Sequence, residues 1–217
     1  MIQLEVWGPY ALFTRGEMKV ERVSYDVPTP SAARGIVESL YYHPGIRWHI
    51  RRIYVLNPIE FTTIRRNEVK NKILGSTAMR IAQGKEDEPY LVTTKQIVQR
   101  ASMVLTNIHY VIEAEFEMLP EKAAPGDNPG KFQDILRRRL AKGQCYHQPC
   151  FGCREFPANF REWHGRAEEI PALPLTQDLG FMLYDLDYSD PENIRSQFFR
   201  AKLKNGVLDC RDVEVFT

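Results

Sequence analysis

Ile108-His109-Tyr110-Val111-Ile112-Glu113-Ala114-Glu115-Phe116-Glu117-Met118 is the stretch whose reading decides the fold. Ile108, Tyr110, Ile112, Ala114, Phe116 and Met118 alternate with His109, Val111, Glu113, Glu115 and Glu117. That period of two is the pattern of a half-buried strand. Downstream, Asp127-Asn128-Pro129 opens a helix, with Phe132, Ile135, Leu136 and Leu140 on its inward stripe and Gly143 closing it. Upstream, Ile2 to Val6 alternates as a first strand. Gly8-Pro9 is expected to interrupt it, and Tyr10 to Thr14 to resume it. Thr29-Pro30 is a helix start, and Ala33, Ile36, Val37, Leu40 and Tyr41 share one face. His43-Pro44-Gly45 stops that helix. Trp48 to Phe61 is strand-like with a break at Asn57-Pro58.

The order is strand, helix, strand, arm, strand, helix, then extended chain from Cys153. It predicts an α+β protein of ferredoxin-like, β-α-β-β-α-β type with an elaborated hairpin. The arm covers about residues 65–95, which are polar, basic and weakly periodic. After the Ile170-Pro171-Ala172-Leu173-Pro174-Leu175 linker, Phe181 to Asp187, Phe198 to Lys204 and Gly206 to Val213 suggest a small antiparallel meander, with Lys204-Asn205-Gly206 as its hairpin turn. The expected division is a ferredoxin-like part at 1–168 and a C-terminal β region at 169–217.

The chain has 217 residues, 43% hydrophobic and 26% charged, as in an ordinary globular protein. No apolar run reaches the roughly 18 residues of a membrane helix. The N-terminus shows no basic leader, and four cysteines make no disulfide framework, so a reducing cytoplasm is expected. The net charge of +1 conceals segregation. From Arg47 to Arg80 eight basic residues face two acidic ones, and from Lys131 to Arg166 eight face three. From Ala167 to Ile194 there are seven acids and no lysine or arginine. Two basic stretches and one acidic stretch suit a polyanion-binding face and a separate acidic face.

The run Gly130-Lys131-Phe132-Gln133-Asp134-Ile135-Leu136-Arg137-Arg138-Arg139 places a lysine in a helix's first turn, where free N–H groups and the helix dipole favour phosphate. Arg137, Arg138, Arg139, Lys142, Arg65, Arg66 and Arg154 are candidate RNA contacts, and nearby aromatics suit an unpaired strand. A solvated basic helix accounts for the same pattern equally well. Phe132 reads as a packing residue, and Tyr41, alone, as a core residue. Cys145, His147, Cys150 and Cys153 read as buried thiols and a histidine rather than a zinc site. His109 reads as a solvated histidine, and Asp185, Asp187 and Asp190 as a solvated acidic edge. No dinucleotide, P-loop, nucleophile-elbow or zinc-protease motif is present, and no cofactor is expected.

Four stretches together resemble a known family: Trp7-Gly8-Pro9-Tyr10-Ala11-Leu12-Phe13-Thr14-Arg15, Ser24 to Tyr41, Ile108 to Phe116, and Gly130 to Phe156. The chain is similar, over nearly its whole length, to the subtype I-C member (d or c subfamily) of the CRISPR-associated Cas five family. The resemblance implies an RNA-recognition-motif-like domain with an insertion and a C-terminal meander. It implies a metal-independent endoribonuclease that cuts precursor CRISPR RNA in its repeats and keeps the 5′ handle within a type I-C interference complex. It also implies a tyrosine at the end of the first helix, matched by Tyr41, and a lysine–histidine pair at the start of the second. Lys131 matches the lysine, but Phe132 stands at the histidine position. His43 and His147 are alternative proton carriers. A non-catalytic subunit is the other expectation. It would hold the handle and dock on other Cas proteins through the acidic C-terminal part. Duplex DNA is a further candidate partner for the basic faces, and a membrane is not.

Overall fold

In the computed structural model, which describes residues 1–18, 20–71, 73–85 and 92–217, the chain opens with β1 (Ile2–Ala11), β2 (Arg22–Val23), α1 (Pro30–Leu40), β3 (Ile46–Val55) and β4 (Glu60–Val69). Next come α2 (Gly75–Ala82), α3 (Thr93–Gln96), β5 (Ile97–Met118) and α4 (Pro129–Ala141). β6 (Asn159–Glu162), β7 (Gln177–Asp187), β8 (Arg195–Lys204), β9 (Val207–Asp209) and β10 (Val215–Phe216) complete it.

β6, β1, β5 and β3 lie side by side in that order, and α1 and α4 supply the two crossovers. This is the ferredoxin-like arrangement expected from the element order. The hub is β5, 22 residues long. Its C-terminal half pairs with β1 on one edge (Val6↔Tyr110) and β3 on the other (Val55↔Tyr110). Its N-terminal half pairs with β4, from Glu60↔Thr106 to Val69↔Ile97. β3 and β4 therefore run end to end along a single edge, and the expected arm is the far half of a long hairpin tipped by α2 and α3. Residues 72 and 86–91 of that arm lie outside the described residues.

One expectation is corrected. Gly8-Pro9 does not end β1, because the ladder with β5 continues through Gly8↔Ile108 and Tyr10↔Thr106. Pro9 cannot donate, yet β6 covers only Leu4 to Trp7, so no second strand asks for its N–H.

Alternation makes the sheet two-faced. Leu4, Val6, Ile108, Tyr110 and Ile112 enter the main core beneath the helices, with Ala33, Ile36, Val37 and Leu40 of α1 and Phe132, Leu136 and Leu140 of α4. Glu5, Trp7, His109 and Glu113 point to the other face. The C-terminal strands continue the same sheet, since β9 adds to the outer edge of β3 (Ile53↔Leu208) and carries β8 with it. Met182, Phe199, Ala201 and Leu203 join the main core, so burial crosses residue 168 without a gap. Asn205 and Gly206 both have positive φ (48° and 74°), as a tight hairpin turn requires. A Cβ on Gly206 would lie 2.3 Å from the Leu173 carbonyl oxygen, so no larger residue fits.

Candidate active site

The C-terminal end of α1 is held from three directions. A helix end leaves carbonyls without partners. Here the Ser39 carbonyl accepts the N–H groups of Tyr146 and His147 (2.9 and 3.0 Å). The Leu40 carbonyl accepts Arg139 Nη1 of α4 at 2.7 Å, and the Tyr41 carbonyl accepts Trp48 Nε1 of β3 at 3.0 Å. Tyr41, the residue after α1, leaves the helix extended (φ −149°, ψ 115°). The Arg139 guanidinium also lies 5.1 Å from the centre of its ring. Tyr41 is 6% exposed, as its core reading foresaw. Burial pushes its phenol above the usual tyrosine range, against the opposing pull of Arg139 and Lys131. It stays a neutral donor at physiological pH.

The start of α4 is built by three consecutive residues. Asn128 accepts the Lys131 N–H at 2.9 Å as the cap, and Pro129 occupies the first turn, where its missing N–H is no loss. Asp127 Oδ1 accepts from Lys131 Nζ at 2.8 Å, and Oδ2 accepts the Ala124 N–H at 2.8 Å and lies 3.8 Å from His43 Nε2. The Asp127 side chain is 1% exposed and that of Lys131 48%, so the ammonium shields the carboxylate and itself faces water. The hydrogen bond with Lys131, helped by the Ala124 N–H, holds the Asp127 carboxyl below its ordinary range and raises Lys131 above its own. Lys131 is therefore a cation at neutral pH and no base.

Phe132 joins the two halves. It is 1% exposed, and its ring lies 4.8 Å from His43, 6.1 Å from Tyr41 and 6.2 Å from Phe116, centre to centre. The His43 imidazole takes the Gly45 N–H on Nδ1 at 3.0 Å, which puts the proton of the neutral ring on Nε2, toward Asp127. Gly45 is tightly approached, and a Cβ there would lie 3.1 Å from both Ala123 Cα and His43 Nδ1.

Tyr41 and His43, from the end of α1, thus meet Lys131 and Phe132, from the first turn of α4. His147 belongs to the segment whose backbone caps α1, and its exposed ring lies 4.3 Å from that of Tyr146. Arg137 and Arg138 are exposed on α4 and Lys142 just after it, as are Arg65 on β4 and Arg154. Two of the arginines read as RNA contacts have internal partners. Arg139 is spent on the end of α1. Arg66 pairs with Glu155 and donates to Ser102 Oγ at 3.1 Å. Two further readings are corrected. His109 is not simply solvated, because its Nε2 meets Glu5 at 2.8 Å, and Asp185 is no free edge residue, because Arg34 grips both its oxygens. Asp127 was read only as part of a helix start. Its place four residues before Lys131, facing it on the first turn, was the available signal.

A model of the CRISPR-associated protein (Cas_Cas5) family, in its Cas5d form, matches residues 1–211. A curated relative from Mannheimia succiniciproducens, named CRISPR pre-crRNA endoribonuclease Cas5d, is 46% identical over 217 residues, covering 96% of this chain and 93% of its own. A relative of the same name from Thermus thermophilus is 41% identical over 191 residues, covering 88% and 75%. A solved CRISPR-associated protein superposes with a TM-score of 0.71 at 23% identity, covering 100% of this chain and 96% of its own. A functionally uncharacterized Streptococcus mutans protein gives 0.70 at 22%, with the same coverage. At such identities the two structures share the fold.

Proposed function

The chain belongs to the Cas5d branch of the CRISPR-associated Cas5 family, and from that membership we propose that it is an endoribonuclease cutting precursor CRISPR RNA within its repeats. The observation that carries the chemistry is the meeting of a fixed cation, Lys131, with a neutral phenol, Tyr41, around the buried ring of Phe132. The ribose 2′-hydroxyl attacks the adjacent phosphorus and the bond to the 5′-oxygen breaks, leaving a 2′,3′-cyclic phosphate and a 5′-hydroxyl. The 2′ proton leaves to water, and the 5′-oxygen takes one from the Tyr41 phenol or from water. Lys131 neutralises the charge that gathers on the phosphorane oxygens. Arg137, Arg138, Lys142, Arg65 and Arg154 bind flanking phosphates, whereas Arg139 acts by placing Tyr41.

After cutting, the chain keeps the 5′ handle as a subunit of a type I-C interference complex. The exposed part of the acidic stretch at 167–194 is the surface for neighbouring Cas subunits. Four free cysteines suit a reducing cytoplasm. No helix among the described residues is long and apolar enough to cross a membrane.

The deciding experiment is single-turnover cleavage of the cognate repeat RNA in EDTA and in magnesium. Equal rates are expected, because Asp127, the carboxylate that meets Lys131 among the described residues, is already bound by Lys131 and Ala124. Loss of cutting in EDTA with rescue by a divalent ion would overturn the 2′-hydroxyl route.

A second reading, a handle-binding subunit without chemistry, has Phe132 in its favour, since an imidazole is the common proton carrier in RNA cleavage. Phe132→His separates the two. The variant is expected to lose about 2 kcal/mol of stability, because a polar ring replaces one packed against Tyr41, His43 and Phe116. If the chain cuts, this change should also raise the rate and add a histidine limb to the pH–rate profile, near pH 6.5 in its ordinary range. A folded variant with the parent's rate and profile removes this position from proton transfer.

A further inference from the structure

On the sheet face turned away from α1 and α4, a pocket of about 500 Å³ opens over β1, β5 and β6. Trp7 sits in register between His109 on β5 and Asn159 on β6. Two residues before it, Glu5 has a side chain only 3% exposed. Its carboxylate takes Arg161 Nε and Nη2 at 2.5 and 2.8 Å and His109 Nε2 at 2.8 Å. A carboxylate this buried on the polar face of a sheet is costly unless it is fully bonded. What these bonds achieve is to fix two flat groups around the indole. The Arg161 guanidinium lies 5.3 Å from the Trp7 ring centre, and the His109 ring lies 6.1 Å from it at 62°.

The remaining wall carries amides. Asn57 Nδ2 donates to the Asn107 carbonyl at 2.8 Å and Asn159 Nδ2 to the Trp7 carbonyl at 3.4 Å. Their side-chain oxygens accept nothing from the described residues, and both line the pocket. The charge is wrong for a phosphate, because Arg161 is already neutralised by Glu5 and no lysine lines the site. Flat rings, unsatisfied amide oxygens and near-zero charge suit the heterocycle of a nucleotide, which stacks on aromatic and guanidinium planes and is read along its edge.

We propose that this pocket holds one unpaired base of the bound RNA, stacked against Trp7 with its edge toward the asparagine amides. The site rests on the reading of the chain as a CRISPR RNA binder and adds to it a base-recognition point on the face opposite Tyr41 and Lys131.

The test is abasic scanning. A set of uncleavable repeat RNAs, each lacking one base, is titrated against the parent, Trp7→Ala and Asn159→Ala by filter binding. In the parent, one position should weaken binding about 10-fold when its base is removed. Trp7→Ala should bind intact RNA about 10-fold more weakly and show no further loss at that position. Asn159→Ala should shrink the penalty at the same position and at no other. If Trp7→Ala fails to fold in a thermal melt, the Asn159→Ala arm decides. Abasic penalties that are the same in parent and variants overturn the pocket while leaving the enzyme reading intact. No binding of any repeat RNA by the parent would overturn that reading itself.

Discussion

Lys131→Ala is expected to slow single-turnover cleavage of the repeat about 100- to 1,000-fold while changing RNA affinity only about threefold. The asymmetry follows from where the charge sits. The ammonium faces solvent but is tethered 2.8 Å from Asp127, so it is pointed before the substrate arrives. The scissile phosphate carries one negative charge in the ground state and more in the phosphorane, so a fixed cation helps the transition state most. Its removal also leaves the Asp127 carboxylate without its chief counter-charge beside the reacting phosphate. Because Lys131 and Tyr41 both titrate above their usual ranges, the parent rate should show no fall below about pH 10 from either group. The contrasting variant is Arg137→Ala with Arg138→Ala, which should weaken binding and flatten its salt dependence with the bound-state rate intact. Arg139 is left out of that pair because its loss would free the end of α1. If Lys131→Ala weakens binding alone, Lys131 is one phosphate contact among several, and the handle-binding reading stands.

A single 2′-deoxy residue immediately upstream of the scissile phosphate should abolish cleavage to the limit of detection, with binding almost unchanged. The hydroxyl is the nucleophile, and nothing near Lys131 among the described residues offers a substitute. Tyr41 is a buried phenol held protonated, and His43 is turned toward Gly45 and Asp127. The same substitution one nucleotide to either side should leave the rate within about twofold, since those hydroxyls can contribute only contacts. Cutting of the deoxy substrate at the ordinary rate would mean that a water molecule is the nucleophile, and the roles given to Tyr41 and Lys131 would fall together.

The element order and several boundaries were legible in the chain because they depend on local physics. Thr29 and Asn128 cap helices whose first turns hold prolines, and both side chains accept the expected N–H groups (3.1 and 2.9 Å). The period of two from Ile108 to Met118 announced the central strand, though not its N-terminal extension to Ile97, which is held extended by pairing with β4 and is buried only in part, at Ser102, Val104 and Leu105. The core place of Phe132 was likewise written in its spacing from Ile135 and Leu136.

What the sequence determined by itself was the α+β order, the two helix starts, the inward stripes and the segregation of charge. These follow from periods of 2 and 3.6 and from caps a few residues long. Tertiary structure alone decided which charges are free. Arg137, Arg138 and Arg139 are alike as text, yet only Arg139 meets a carbonyl at the end of α1, because the crossover through β5 brings α4 there. It also decided that the second carboxylate oxygen of Asp127 lies beside His43, far away in the chain, and that Glu5 and Arg161 set a face around Trp7. A contact between residues a hundred positions apart depends on strand order and helix packing, and no local period encodes the distance between two side chains.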